Sequence, residues 1–154
     1  MSKQELKQKG FTIIEVVLVL AIAALIFLMV FIALPALQRN QRDTQRRNDV
    51  GRFVSQVSSY STNNKGKIPV EAGLPAFVTN YLKGGTGGEF NDPKTGDPYV
   101  VAWSLGAPTE DGRMYYYAGA TCDGETIVSS TGSRMGAVAV KLEGSGVFCQ
   151  ETKS

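Results

Sequence analysis

Three residues near the N-terminus have the types and spacing for a defined chemistry. Gly10 ends a short leader that carries three lysines, Phe11 follows it directly, and Glu15 comes four residues later. Cleavage of the Gly10–Phe11 bond would create an α-amino group one helical turn before the Glu15 carboxylate, about 6 Å away along the axis. In a neighbouring chain shifted by one turn, that amine could meet Glu15 directly. The spacing therefore favours an amine–carboxylate pair between chains.

Glu15 stands at the start of an apolar segment, where an unpaired charge is costly. A carboxylate inside an apolar membrane span costs on the order of 2.5–3.5 kcal/mol. Two interpretations remain open on spacing alone. Glu15 either lies at the level of the lipid headgroups, or it pairs with a cation such as the new amine of Phe11.

The segment after Glu15 is predicted to span a membrane. Residues 16–37 are 22 residues without a charge, and a helix needs roughly 20 apolar residues to cross a bilayer core of about 30 Å. A buried core helix is disfavoured because apolar residues cover every face of the helix and not one stripe. A secretory signal is disfavoured because its apolar region has only about 7–15 residues.

These features occur together in one known pattern. A charged leader ending in Gly10, followed by Phe11, Glu15 and the long apolar run, resembles the prepilin motif of bacterial type IV pilins and of the related type II secretion pseudopilins. The resemblance implies that a membrane peptidase cuts the Gly10–Phe11 bond and methylates the new N-terminus on Phe11. It also implies that Glu15 pairs with the amine of an adjacent subunit during assembly. One departure is Ile32, because many members have a proline at that position, three residues before Pro35.

The resemblance further implies partners and a location. The chain would enter the cytoplasmic membrane as a single-pass precursor surrounded by lipid, and would then form a homopolymer, an extracellular pilus on the cell surface. A prepilin peptidase, an assembly ATPase and a platform membrane protein would act on it. Lysines and arginines flank the apolar run on both sides, so charge does not decide the orientation, and the resemblance places the leader inside. Adhesion, twitching motility and DNA uptake are family roles among which the sequence does not choose.

The helix is expected to continue past the apolar run as an amphipathic half, residues 38–64. Pro35 is expected to kink or weaken it. One apolar face recurs at helical spacing and comprises Val50, Phe53, Val54, Val57 and Tyr60. Residues 39–52 hold five arginines and two aspartates. These arginines either form a solvated face at the membrane surface or contact acidic surfaces of neighbouring subunits, and the lack of interleaved aromatics disfavours nucleic-acid binding.

The remaining residues, 65–154, are predicted to form a globular head with a small antiparallel sheet of about four strands. A short helix is expected at 74–83, and the strand candidates are 99–103, 113–118, 125–129, 136–142 and 146–150. The fold class is therefore α+β, a long helix packed against a sheet, which is the pilin-like lollipop that the resemblance implies. The chain divides into a leader (1–10), a membrane or filament-core helix (11–37), the amphipathic half and the head.

Cys122 and Cys149 are the two cysteines of the chain. Outside the cytoplasm such a pair forms a disulfide, and two free buried thiols are the alternative. Loop carboxylates are interpreted as solvated turn residues, with calcium as the alternative because calcium takes oxygen ligands from loops. They are Asp92, Asp97, Glu110, Asp111, Asp123 and Glu125.

Composition excludes several classes of site. The absence of histidine removes the commonest general base and zinc ligand, and two cysteines cannot supply a four-cysteine zinc site. A formal charge of +2 lacks the basic excess of nucleic-acid-binding domains. We expect no catalytic residue, cofactor or metal, and a structural protein, not an enzyme. A minor pilin or a pseudopilin is the close alternative, and a monomeric membrane-anchored binding module is the alternative from another class.

Overall fold

The computed structural model describes residues 10–144 and 146–153. Residues 1–9 of the predicted leader therefore lie outside the described residues. The elements in chain order are helix α1 (Ile13–Asn63), a 3-10 turn (Glu71–Gly73), helix α2 (Leu74–Tyr81) and strands β1 (Val100–Trp103), β2 (Arg113–Ala118), β3 (Ala120–Asp123), β4 (Thr126–Ser129), β5 (Met135–Lys141) and β6 (Val147–Lys153). The chain separates into two units, Met1–Gln38 and Arg39–Ser154.

The first unit contains the apolar part of α1. Every large hydrophobic side chain from Phe11 to Leu37 is between 43% and 85% exposed. Pro35 lies inside α1, and the helix continues on both sides of it. Part of α1 is long and apolar enough to cross a membrane by length and composition, and its most apolar part is not buried.

In the second unit, the predicted apolar face of α1 packs against the sheet and α2. Val50, Phe53 and Val57 are buried at helical spacing. The ring of Phe53 lies 5.3 Å from the Phe77 ring and 5.1 Å from the Tyr116 ring. Burial of such side chains contributes about 1.5–3 kcal/mol each. The α+β architecture of a long helix packed against a small sheet is confirmed.

The main sheet has the order β1-β2-β5-β6, so β5 is an inner strand. Residues 136–140 of β5 are all buried. Val138 and Val140 belong to the cluster that includes the α1 face. Ala137 and Ala139 belong to a second cluster with Ile127 of β4. Because successive residues of a strand point to opposite faces, β5 forms part of a core on both of its sides.

The predicted sheet was wrong in two respects. β1 runs parallel to β2, so the main sheet is mixed and not antiparallel. Strand β4 does not join it, because β4 pairs with β3 in a separate two-stranded sheet, and β3 itself was not predicted. The short helix and the other strands occur where the sequence places them, within a few residues at each end.

Candidate functional site

The start of α1 brings Thr12 and Glu15 together. The Thr12 backbone N–H and hydroxyl donate to Glu15 Oε2 at 3.4 and 3.3 Å, and the Glu15 N–H donates to the Thr12 hydroxyl oxygen at 3.3 Å. A threonine followed three residues later by a glutamate forms a capping box, in which the two residues satisfy each other's free backbone N–H groups. The negative carboxylate also complements the positive end of the helix dipole.

Gly10 and Phe11 lie just before this cap. Both are exposed, and the Phe11 side chain is 85% exposed. The bond between them is not part of α1, and no described residue beyond its chain neighbours lies within 4 Å of the position where Gly10 would carry a side chain. Among the described residues, none covers the predicted cleavage bond.

Phe11 and Glu15 line one wall of an apolar groove on α1. The groove has a volume of about 290 Å³, and Val16, Val19 and Leu20 form the rest of it. The two predicted assembly residues thus line the same groove within one chain.

A second group of polar contacts fixes α1 to the loop before β1. The Arg46 guanidinium donates to both carboxylate oxygens of Asp92, at 2.7 and 3.0 Å, and to the Lys141 carbonyl at 3.0 Å. Neither Arg46 nor Asp92 has an exposed side chain. Burial opposes the charge on Arg46, but the hydrogen bonds and charge of Asp92 outweigh it, so the pKa of Arg46 is raised.

Asp92 also organises its own turn, and Asp111 extends the network. Asp92 Oδ2 accepts the backbone N–H groups of Lys94 and Thr95 at 3.3 and 3.2 Å. Lys94 Nζ lies 2.6 Å from Asp111 Oδ2, and Arg46 lies 3.6 Å from Asp111 Oδ1. The hydrogen bond from Lys94 and the nearby positive charges lower the pKa of Asp111.

One turn earlier, α1 contacts the hairpin between β5 and β6. Arg42 donates to both carboxylate oxygens of Glu143, at 2.6 and 2.8 Å. The Asp43 carboxylate accepts the N–H groups of Glu143 and Gly144, at 2.6 and 2.8 Å. The hydrogen bond from Arg42 lowers the pKa of Glu143. Charged residues of both signs therefore bind this part of α1 to the head.

These contacts correct two sequence-based interpretations. The arginines of α1 were interpreted as a solvated face or as contacts to neighbouring subunits, but Arg42 and Arg46 pair within the chain and Arg46 is buried. Arg47 lies over the Phe148 ring, 4.9 Å from its centre. Asp92 was interpreted as a solvated turn residue, yet it is fully buried. The sequence signal for Arg46 was its spacing, because it precedes Val50 by one turn on the buried face.

Cys122 and Cys149 form a disulfide. Cys122 lies in β3 and Cys149 in β6, so the bond joins the two sheets. The first part of the segment between them, residues 123–134, is exposed at most positions, although Ile127 is buried. Among the described residues, no group of three or more Cys, Asp or Glu side chains could hold a metal ion.

Comparison with known proteins identifies the N-terminal signature. Residues 6–31 match the family model of the prokaryotic N-terminal methylation motif, which is the signature of type IV pilins and pseudopilins. The matched range contains Gly10, Phe11 and Glu15. No curated protein and no solved structure matches the chain. The motif therefore identifies the N-terminal segment as that of the type IV pilin and pseudopilin class, and the match does not extend to the head.

Proposed function

We propose that this chain is a structural subunit of a type IV pilus. The precursor is inserted in the membrane, cleaved after Gly10 and methylated on the amine of Phe11. The mature chain then polymerises into a helical surface filament. A minor pilin or a type II secretion pseudopilin, which has the same N-terminal motif, is the alternative. Adhesion, twitching motility and DNA uptake are the processes that such a filament serves.

One observation carries this proposal, namely the exposed apolar helix that begins within the methylation motif and continues to Leu37. All large apolar side chains of residues 11–37 are uncovered within the chain, and exposed apolar patches of this size mark contact with lipid or with other proteins. Lipid covers them before assembly. In a filament, copies of the same helix replace the lipid. A contact between two different surfaces of neighbouring subunits, repeated with a rotation that does not close a ring, gives an open helical polymer.

Phe11 and Glu15 set the register of that polymer. An α-amine on Phe11 of one subunit pairs with the Glu15 carboxylate of its neighbour, which removes the cost of burying either charge alone. In the precursor, the leader prevents this pairing because Phe11 has no free amine. Cleavage by a prepilin peptidase therefore precedes assembly by the ATPase and the platform protein.

The test is the intact mass and N-terminal sequence of this protein in sheared surface filaments and in membranes of its host. We expect mature chains that begin at Phe11, lack residues 1–10 and carry one methyl group on the new amine. A Gly10→Leu variant is the control, and it should retain the leader and stay in the membrane. An intact N-terminus in cells that make pili, with the protein confined to the membrane, would overturn the proposal in favour of a monomeric membrane-anchored module.

A further inference from the structure

A cleft lies where α1 ends, within the second unit. It has a volume of about 690 Å³, which is in the range of small-molecule sites, roughly 300–1,000 Å³. Its polar wall includes Lys65, Lys67 and Arg134, and its apolar wall includes the Tyr60 ring, Ile68 and Ala118. Among the described residues, no Asp or Glu lines it.

Two of the basic residues at this cleft differ from most basic residues of the second unit. Lys65 and Lys67 are exposed and form no ion pair within the part of the chain that the structure describes. By contrast, ion pairs engage most other cations of the second unit, namely Arg42, Arg46, Arg52, Lys94, Arg113, Lys141 and Lys153. Two unpaired ammonium groups at one cleft attract an anion.

The backbone at Lys65 is left-handed where α1 ends. Lys65 has a φ of +57°, a left-handed conformation that glycine adopts more readily than residues with a Cβ. Gly66, at φ +80°, donates its N–H to the Ser61 carbonyl at 2.8 Å and closes the helix end. A glycine at position 65 would close this helix with less strain. The chain instead carries a lysine there, at the edge of the cleft.

We infer that this cleft binds an acidic sugar unit of a glycan. The ammonium groups pair with the carboxylate of the sugar, and the part-exposed Tyr60 ring provides a wall on which a sugar ring packs. A nucleic acid fits less well, because residues 39–154 hold 13 Lys or Arg and 12 Asp or Glu and so lack the basic excess of a surface that follows a phosphate backbone. The inference stands whether or not the chain forms filaments.

The test uses the full chain in nonionic detergent micelles, titrated with trigalacturonate by calorimetry, with neutral maltotriose as the control sugar. Lys65→Gly is the main variant, and the conformation at position 65 means that its thermal stability should equal or exceed that of the wild type. Lys83→Gly is its matched control. Lys83 has a similar φ of +52°, is exposed and does not line the cleft.

We expect the wild type and Lys83→Gly to bind trigalacturonate equally and Lys65→Gly to bind about fivefold more weakly, since one exposed charge pair contributes up to about 1 kcal/mol. Lys67→Gln should lose a similar factor and serves as a second variant. Equal binding by all variants, no binding by the wild type, or equal binding of maltotriose would overturn the inference. Tighter binding of a single-stranded oligonucleotide than of trigalacturonate would overturn the assignment to a glycan.

Discussion

The guanidinium of Arg46 and the carboxylate of Asp92 form a two-point ion pair at 2.7 and 3.0 Å, and both side chains are fully buried. The two residues are 46 positions apart in the chain, so the pair connects α1 directly to the loop before β1. Burying such a pair costs free energy because both charges lose their hydration. Their mutual attraction offsets this cost only with good geometry and further hydrogen bonds. The Lys141 carbonyl and the turn around Asp92 supply those bonds.

Removal of one member of this pair should destabilise the head strongly. Arg46→Met leaves the Asp92 carboxylate buried and unpaired, which costs about 3–5 kcal/mol. Arg113→Ala, which breaks the exposed Arg113–Glu110 pair, is the matched control and should cost under about 1 kcal/mol. Denaturant unfolding of the full chain in micelles measures both. Equal small losses would mean that the buried pair contributes no more than a surface pair, and Arg46→Met with Asp92→Leu should recover part of the loss.

The Arg42–Glu143 pair should make the head less stable in acid. Arg42 lowers the folded-state pKa of Glu143, so the pair contributes its full stability above the unfolded pKa of a glutamate and loses it as pH falls through the lower folded value. The stability gap between the wild type and Glu143→Gln should therefore be present at neutral pH and close as the pH drops below about 4. Unfolding curves at a series of pH values measure it. Glu71→Gln, at an exposed residue, is the control, and a gap that does not change with pH would contradict the prediction.

Asp49 should change the stability of the head with pH in the opposite direction to Glu143. Burial raises its pKa in the folded state even though the Tyr99 hydroxyl donates to it at 3.0 Å. A carboxyl whose folded pKa is raised makes the folded state more stable as pH falls through that value. Asp49→Asn keeps an oxygen acceptor for Tyr99 and removes the half-buried charge. We expect the variant to be at least as stable as the wild type at pH 7 and to lose this advantage below about pH 4. Greater instability at every pH would show that the Asp49 charge itself is needed.

The sequence predicts the elements whose signals are local. The apolar face at Val50, Phe53 and Val57 predicted the packing of α1, and the strand patterns predicted β2 and β5 closely, because side-chain periodicity follows from backbone geometry. The burial of Arg46 also had a local signal, since it continues the same face. Its partner had none, because Asp92 lies in a turn-forming segment in which aspartates are usually exposed.

The parallel pairing of β1 with β2 could not be predicted in the same way. Parallel strands usually need a crossover of about a dozen residues or more, and here only residues 104–112 connect the two strands. Strand β4 fixes this connection, because Gly106 and Ile127 of β4 exchange backbone hydrogen bonds of 2.8 and 2.9 Å. Strand β3 was missed because it is short and Gly119 and Gly124, both at positive φ, flank it as turn residues would.

Loss of the disulfide should destabilise the head without changing its topology. Cys122 and Cys149 are separated by 27 positions, and the chain-entropy estimate for such a loop is about 3.6 kcal/mol. The double variant Cys122→Ala and Cys149→Ala should lose about that much free energy of unfolding at neutral pH. The wild type under a reductant should behave like the variant. An unfolding free energy that does not respond to reductant would show that the bond does not restrain the unfolded chain.

The last prediction separates two roles of Glu15, namely capping α1 and pairing with an amine. Glutamine fits the same capping box, so Glu15→Gln keeps the helix start and removes only the charge. If the charge pairs with the Phe11 amine of a neighbour, Glu15→Gln should insert into the membrane and be cleaved normally but should not assemble. We expect the same result for Glu15→Ala. Thr12→Ala, which weakens the cap by about 1 kcal/mol and leaves the charge, should still assemble. Shearing assays with microscopy measure filaments. Normal filaments from Glu15→Gln together with none from Thr12→Ala would show that the residue acts through the helix cap and not through a charge pair.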